Sequence, residues 1–256
     1  MTPLLEVSHV CYAYHTLAGE TQALSDLTFS VDEGEFFVVV GPSGCGKSTL
    51  LSLLSGLIPA EKGTIRFRRS PLAGHQTKIG YMLQKDHLFE WRTVYRNVIL
   101  GLEIQKKETP ENLAHVEQML ADYGLAAFKA AIPSELSGGM RQRAARIRTL
   151  ELDPSLLLLD EPFSALDYQT RLKVCDDVYE IIKKEKKTAV LITHDLSEAV
   201  SMADRILVLS KRPARIRRIL PVHFADRSLT PMQRRQAPEF KDYFNEIWKE
   251  LNTDEQ

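Results

Sequence analysis

The run "FFVVVGPSGCGKSTLLSLLSG", residues 36–56, constrains this chain more than any other stretch. Five apolar residues, three of them β-branched, read as a buried strand. The leucines that follow read as a helix with Leu50, Leu53, Leu54 and Leu57 on one face. Between them Gly41, Pro42, Ser43, Gly44, Cys45, Gly46, Lys47, Ser48 and Thr49 fit the pattern G-x-x-x-x-G-K-[ST]. Strand, loop and helix in that order turn a short pattern into a specific sign of phosphate binding. The glycines let backbone N–H groups turn inward around a phosphate, and the helix N-terminus adds its dipole. Lys47 can then reach the β- and γ-phosphates of a nucleotide, and Ser48 can ligate Mg²⁺. Cys45 lies inside the loop, so its alkylation is expected to block nucleotide binding.

Two further stretches carry chemistry. "LLLLDEP", 156–162, is a buried-strand pattern ending in two carboxylates. Asp160 is placed to hold Mg²⁺ directly or through water, and Glu161 to act as general base on an attacking water. "LSGGMRQR", 136–143, is a second glycine-rich stretch. Ser137 is a natural N-cap, and with Gly138 and Gly139 it forms an anion site at a helix start. Taken alone, the same residues read by default as a helix start that binds nothing.

The 256 residues are 44% hydrophobic and 26% charged with a net charge of -1, enough for one large core or a core plus a subdomain. That balance gives no support for bulk binding to nucleic acid. Cys11, Cys45 and Cys175 are few and far apart, which fits free thiols in a cytosolic protein. No signal peptide is expected at the start, and the longest apolar runs fall far short of the ~20 residues of a membrane span.

Short apolar runs at 36–40, 79–83, 156–159, 189–192 and 206–209 alternate with helical patterns, which predicts an α/β fold with a largely parallel, buried sheet. Two-residue alternation at 4–10, 27–31 and 64–68 predicts antiparallel strands near the N-terminus. Residues 85–150 read mostly as helix, with Thr109 as an N-cap, Pro110 at N1 and Gly124 as a stop. Residues 222–238 read as loop, and Phe240, Phe244, Ile247 and Leu251 line one side of a last helix that should dock on the body. The chain thus divides into 1–221, with a helical insertion at about 85–150, and a C-terminal loop and amphipathic helix at 222–256.

Together "GPSGCGKST", "LSGGMRQR", "LLLLDEP", "SALD" (164–167) and "LITHD" (191–195), in that order, resemble the ATP-binding-cassette ATPases over nearly the whole chain. The resemblance implies a P-loop NTPase (RecA-like) core with a parallel sheet, an N-terminal antiparallel β subdomain and a helical subdomain specific to the family. It implies ATP and Mg²⁺ as ligands and a head-to-tail homodimer. In such a dimer Ser137, Gly138 and Gly139 of one copy cover the ATP held by the phosphate loop of the other. By the same resemblance Gln84 meets Mg²⁺ and the attacking water and senses a membrane partner, and His194 contacts the γ-phosphate. Asp167 links the two sites across the dimer, although its position also suits the N-cap of the next helix. Tyr14 stacks on adenine, with Tyr12 as the alternative.

"FEWRTVYRNVILGLE", "DEPFSALDYQTR" and "LSKRPARIRRILPV" resemble the nitrate/sulfonate/taurine branch of bacterial importers. This implies an ATPase subunit peripheral to the cytoplasmic side of the membrane. It would dock on integral membrane permease subunits through residues 85–102, served indirectly by an extracytoplasmic substrate-binding protein, with no nucleic-acid partner. Phe89 and Trp91 read either as docking anchors or as core residues of the helical insertion. Glu90 stands where proline usually precedes the tryptophan, and "RIRTL" (146–150) replaces a more alanine-rich run. Both leave the solute open among sulfonates, nitrate and pyrimidine-like compounds. "KRPARIRR" reads as a solvated basic loop, or one near lipid headgroups. The rival reading is a soluble cassette that works on ribosomes or DNA; such proteins carry two cassettes or a long coiled-coil insertion.

Overall fold

The computed structural model describes residues 3–17, 19–164 and 166–252. β1 (Pro3–Thr16) and β2 (Gly19–Asp32) form a long hairpin, β3 (Phe36–Val40) leads through the phosphate loop into α1 (Lys47–Leu54), and β4 (Lys62–Phe67) returns to β1 with β5 (Ser70–Pro71) beside it. β6 (Ile79–Met82) precedes the helical stretch α2 (Val94–Val98), α3 (Leu100–Gln105), α4 (Pro110–Asp122) and α5 (Gly138–Leu150). Strand and helix then alternate through β7 (Leu156–Asp160), α6 (Tyr168–Lys184), β8 (Thr188–Ile192), α7 (Leu196–Met202) and β9 (Arg205–Leu209). β10 (Ile216–Pro221), α8 (Pro231–Arg234) and α9 (Pro238–Asn252) follow.

The strands make two sheets. One is antiparallel, in the order β2-β1-β4-β5. The other runs β10-β9-β3-β8-β7-β6, parallel except for β10. Its five parallel strands are the five apolar runs of the sequence. All of β3 and β8 is buried, because both faces of this sheet are covered. The side chains of β3 alternate between two cores. Phe37 and Val39 join Val7, Leu27 and Leu50 between the sheets. Phe36, Val38 and Val40 join Phe163, Ile182 and Ile247 beneath α6, α7 and α9. Val98, Leu102, Leu120 and Ile147 form a third core among the helices that follow β6.

Local signals explain most ends. Thr109 Oγ1 accepts from Asn112 N–H at 3.2 Å, Pro110 opens α4, and Gly124 leaves it at φ +68°. On α9, Phe240, Phe244 and Leu251 pack against the second core and Ile247 is buried in it. Two expectations fail. Leu57 is not on the face of α1, because the helix ends at Leu54 and Gly56 turns the chain at φ +73°, leaving Leu57 exposed. The stretch 222–238 is not all loop: Thr230 Oγ1 accepts from Gln233 N–H and Gln233 accepts from Thr230 N–H, a capping box that starts α8. Four residues are too few to show a helical period.

Candidate active site

The phosphate loop leaves the end of β3 and closes at the start of α1. Gly44 has φ +71° and Gly46 φ +123°. A Cβ on Gly46 would lie 2.9 Å from Leu24 Cδ2 and 3.2 Å from the Ala23 carbonyl, so both conformation and space require glycine there. Lys47 is 7% exposed, and its ammonium bends back to donate to the carbonyls of Gly41 (2.8 Å) and Pro42 (3.0 Å). Ser43 and Ser48 are exposed. Cys45 points inward and is 1% exposed, and burial pushes its thiol up from the ordinary value. Cys45 thus shapes the loop from inside, and its burial makes alkylation in the native fold slow. Thr49 Oγ1 lies 2.9 Å from the Tyr14 hydroxyl. Tyr14 is 43% exposed beside the loop, whereas Tyr12 meets it edge-on at 5.1 Å and packs against the first core.

Three strand ends meet next to the loop. Asp160 closes β7; burial pushes its carboxyl up, opposed by a hydrogen bond with the Ser48 side chain. Glu161 follows at φ +46°, with its N–H donating to the Ile192 carbonyl at 2.9 Å. Glu161 Oε2 is 3.1 Å from His194 Nδ1 and 3.5 Å from Gln84 Nε2. Gln84 follows β6, Glu161 follows β7 and His194 follows β8, so the sheet order gathers residues the sequence scatters. Ser164 belongs to this group, although the sequence reading does not place it in the site. Its Oγ accepts from Gln84 Nε2 at 3.3 Å and donates to the Glu161 carbonyl at 3.0 Å. The signal that could have found it is a hydroxyl three residues beyond the glutamate of the carboxylate pair. Ala165, within the "SALD" motif, lies outside the described residues.

The second glycine stretch stands apart from the phosphate loop. Ser137 caps α5 by accepting from Met140 N–H at 3.3 Å. A Cβ on Gly138 or Gly139 would touch nothing within 4 Å, so no contact among the described residues requires glycine at either position. Both line a cleft of about 690 Å³ with Gln84, Leu166 and Asp167, and no residue of the phosphate loop lines it. Asp167 caps α6 by accepting from Thr170 N–H at 3.1 Å. Hydrogen bonds from the Thr170 side chain and N–H hold its carboxyl below the usual range.

Phe89 and Trp91 pack ring against ring at 4.8 Å, tilted by 35°, outside the core of the helical stretch, and Trp91 is 78% exposed. The reading of these two as core residues is therefore not what the packing gives. The departures from the importer pattern have a local reason. Glu90 accepts from Arg141 at 2.7 Å, and the same guanidinium grips Asp86 at 2.9 and 3.1 Å. Arg148, in the "RIRTL" run, donates to the carbonyls of Asp86 (2.7 Å) and His87 (2.8 Å). Residues 86–90 are thus fastened to α5. The "RPARI" turn is also more than a solvated loop: Arg212 donates to the Gly44 carbonyl, and buried Ala214 exchanges backbone hydrogen bonds with Ala23 and Ser25.

Among the described residues, no three or more His, Cys, Asp or Glu gather as a metal cluster, and no helix is long and apolar enough to cross a membrane. The Ser48 hydroxyl and Asp160 carboxylate form an all-oxygen donor pair, which fits Mg²⁺ rather than a soft transition metal. The family model for the ABC transporter matches residues 24–164. The chain is 45% identical to the uncharacterized ABC transporter ATP-binding protein YtlC of Bacillus subtilis, over 97% of this chain and 96% of that one. It is 39% identical to the taurine import ATP-binding protein TauB of Escherichia coli, over 88% and 86%. The fold matches the dimeric post-hydrolysis structure of the ATP-binding cassette MJ0796 bound to ADP and Pi, with a TM-score of 0.76 and 27% identity over 86% of this chain and 99% of that one. The chain belongs to the ABC transporter family and is one of its ATPase cassettes.

Proposed function

We propose that this chain is the ATP-hydrolysing subunit of an importer for a small solute, working against the cytoplasmic side of the membrane. The observation that carries the chemistry is the Glu161 carboxylate held beside His194 and Gln84 at the end of β7. Two copies would pair head to tail and bind separate integral membrane permease subunits, with an extracytoplasmic binding protein delivering the solute. The likeness to a taurine import protein favours a small sulfonate over nitrate or a pyrimidine-like solute. Residues 1–221, with the helical insertion at 85–150, would form the ATPase domain, and 222–256 its C-terminal appendage.

In this reading the loop N–H groups and the start of α1 bind the phosphates, and Lys47 swings from the Gly41 and Pro42 carbonyls onto them. Tyr14, the more open of the two tyrosines, supplies the adenine platform. Ser48, Asp160 and Gln84 would hold Mg²⁺, which neutralises charge on the β- and γ-phosphates when bound. Glu161 Oε2 takes the proton of the attacking water. His194 orients that carboxylate and meets the γ-phosphate. Ser137, Gly138 and Gly139 cover the phosphates of the second copy; the open space beside the two glycines among the described residues supports this. Asp167 then bridges the two sites.

The importer reading is tested by purifying the Glu161→Gln variant from native membranes in mild detergent with ATP and identifying what accompanies it by mass spectrometry. A multi-span permease is the expected companion. Ribosomal or DNA-repair proteins without a permease would overturn the importer reading and leave the ATPase chemistry standing.

A further inference from the structure

The far end of α6, the segment after β10 and α8 line a half-open cavity of about 700 Å³, a size typical of small-molecule sites. None of the nucleotide-site residues lines it. Its charge is unbalanced. Lys183, Lys184, Arg227 and Arg234 stand against two carboxylates, Glu180 and Asp204. Asp204 is already engaged by Lys183 at 2.6 Å and by Phe36 N–H at 2.8 Å. Lys184 and Arg227 form no ion pair among the described residues.

Arg234 is the stronger observation. It is 6% exposed, yet no carboxylate among the described residues pairs with it. Its guanidinium lies between the rings of Tyr179 (4.9 Å) and Phe224 (5.1 Å). It donates to the Tyr179 hydroxyl at 2.6 Å and the Ser201 carbonyl at 3.2 Å, and its Nε has no partner. Rings and neutral acceptors offset part of the desolvation of a buried cation, but a counter-charge is what such a cation calls for. Val222, Phe224 and Leu229 add an apolar wall.

We propose that this cavity binds a small organic anion, with a sulfonate, phosphate or carboxylate head toward Lys184, Arg227 and Arg234 and an apolar body against Phe224. The site is separate from the nucleotide loop and would tie the segment 222–234 to α6.

The test is calorimetric titration of the full chain with benzenesulfonate and with 4-nitrophenyl phosphate, in the presence of saturating ATP and Mg²⁺ and with Glu161→Gln to stop turnover. Saturable binding of at least one probe is expected. It should weaken roughly 10-fold or more when Lys184→Glu and Arg227→Glu are combined, as lost charge-assisted contacts do. Both positions are peripheral to the core, and circular dichroism checks that the variant is folded. Failure of both probes to bind, or binding unchanged in the double variant, would overturn the proposal and leave Arg234 as a staple for α8. Binding seen without ATP but abolished by it would assign the signal to the phosphate loop and overturn the proposal equally.

Discussion

Arg212 donates a hydrogen bond to the carbonyl oxygen of Gly44 at 2.8 Å, tying the turn after β9 to the phosphate loop. The same turn is stitched to β2 through Ala214, and β2 supplies the Ala23 and Leu24 atoms that leave no room beside Gly46. Arg212 therefore acts as a positioning residue: it fixes which way the Gly44 peptide faces. Arg212→Ala is expected to raise the KM for ATP roughly 5-fold, the equivalent of about one hydrogen bond, with kcat nearly unchanged. Arg212→Lys should recover part of that. Equal losses in KM and kcat would point to general loosening of the fold instead.

Glu161→Gln keeps the shape of the side chain and removes its basicity. Hydrolysis should slow roughly 10²–10⁴-fold while ATP affinity by calorimetry stays intact. Lys47→Ala should do the reverse first, weakening binding itself. Normal turnover of the Gln variant would remove Glu161 from the role of base.

Glu151, at the end of α5, is 7% exposed, and burial pushes its carboxyl from 4.5 up to about 8. The folded chain holds a proton there that the unfolded chain releases near pH 4.5. Its contribution to stability is thus full below that value, falls as pH rises, and levels off above about 8. Glu151→Gln carries no such proton. The variant should match the parent near about pH 4 and exceed it at about pH 9, by on the order of a few kcal/mol in denaturant titrations. A constant difference at both pH values would place the effect in packing rather than ionisation.

Thiol labelling gives a further check. Cys11 is partly exposed, while Cys45 and Cys175 are buried with thiols pushed up by burial. Iodoacetamide at neutral pH should modify Cys11 well before the other two, and unfolding in urea should equalise all three. Rapid labelling of Cys45 in the native protein would mean that the loop opens far more readily than its packing allows.

The sequence announced the parallel strands because a sheet covered on both faces needs unbroken apolar runs, as at 36–40 and 189–192. β10 was harder to see: Arg217 and Arg218 interrupt it, and an antiparallel edge strand has only one face to bury. The phosphate loop was legible because its parts are contiguous. The meeting of Gln84, Glu161 and His194 rested on resemblance, since only the strand order brings them together. Ser164, Arg212 and Arg234 act through contacts with residues far off in the chain or with backbone carbonyls, and no local pattern marks such contacts.

The φ of +46° at Glu161 has an evolutionary side. A residue with a Cβ costs roughly 1–2 kcal/mol in that region, and glycine would relieve it. A library of this chain sorted only for heat resistance should therefore enrich Gly at position 161. The winners would survive the oven and hydrolyse almost nothing, a trade between durability and work written into one backbone torsion.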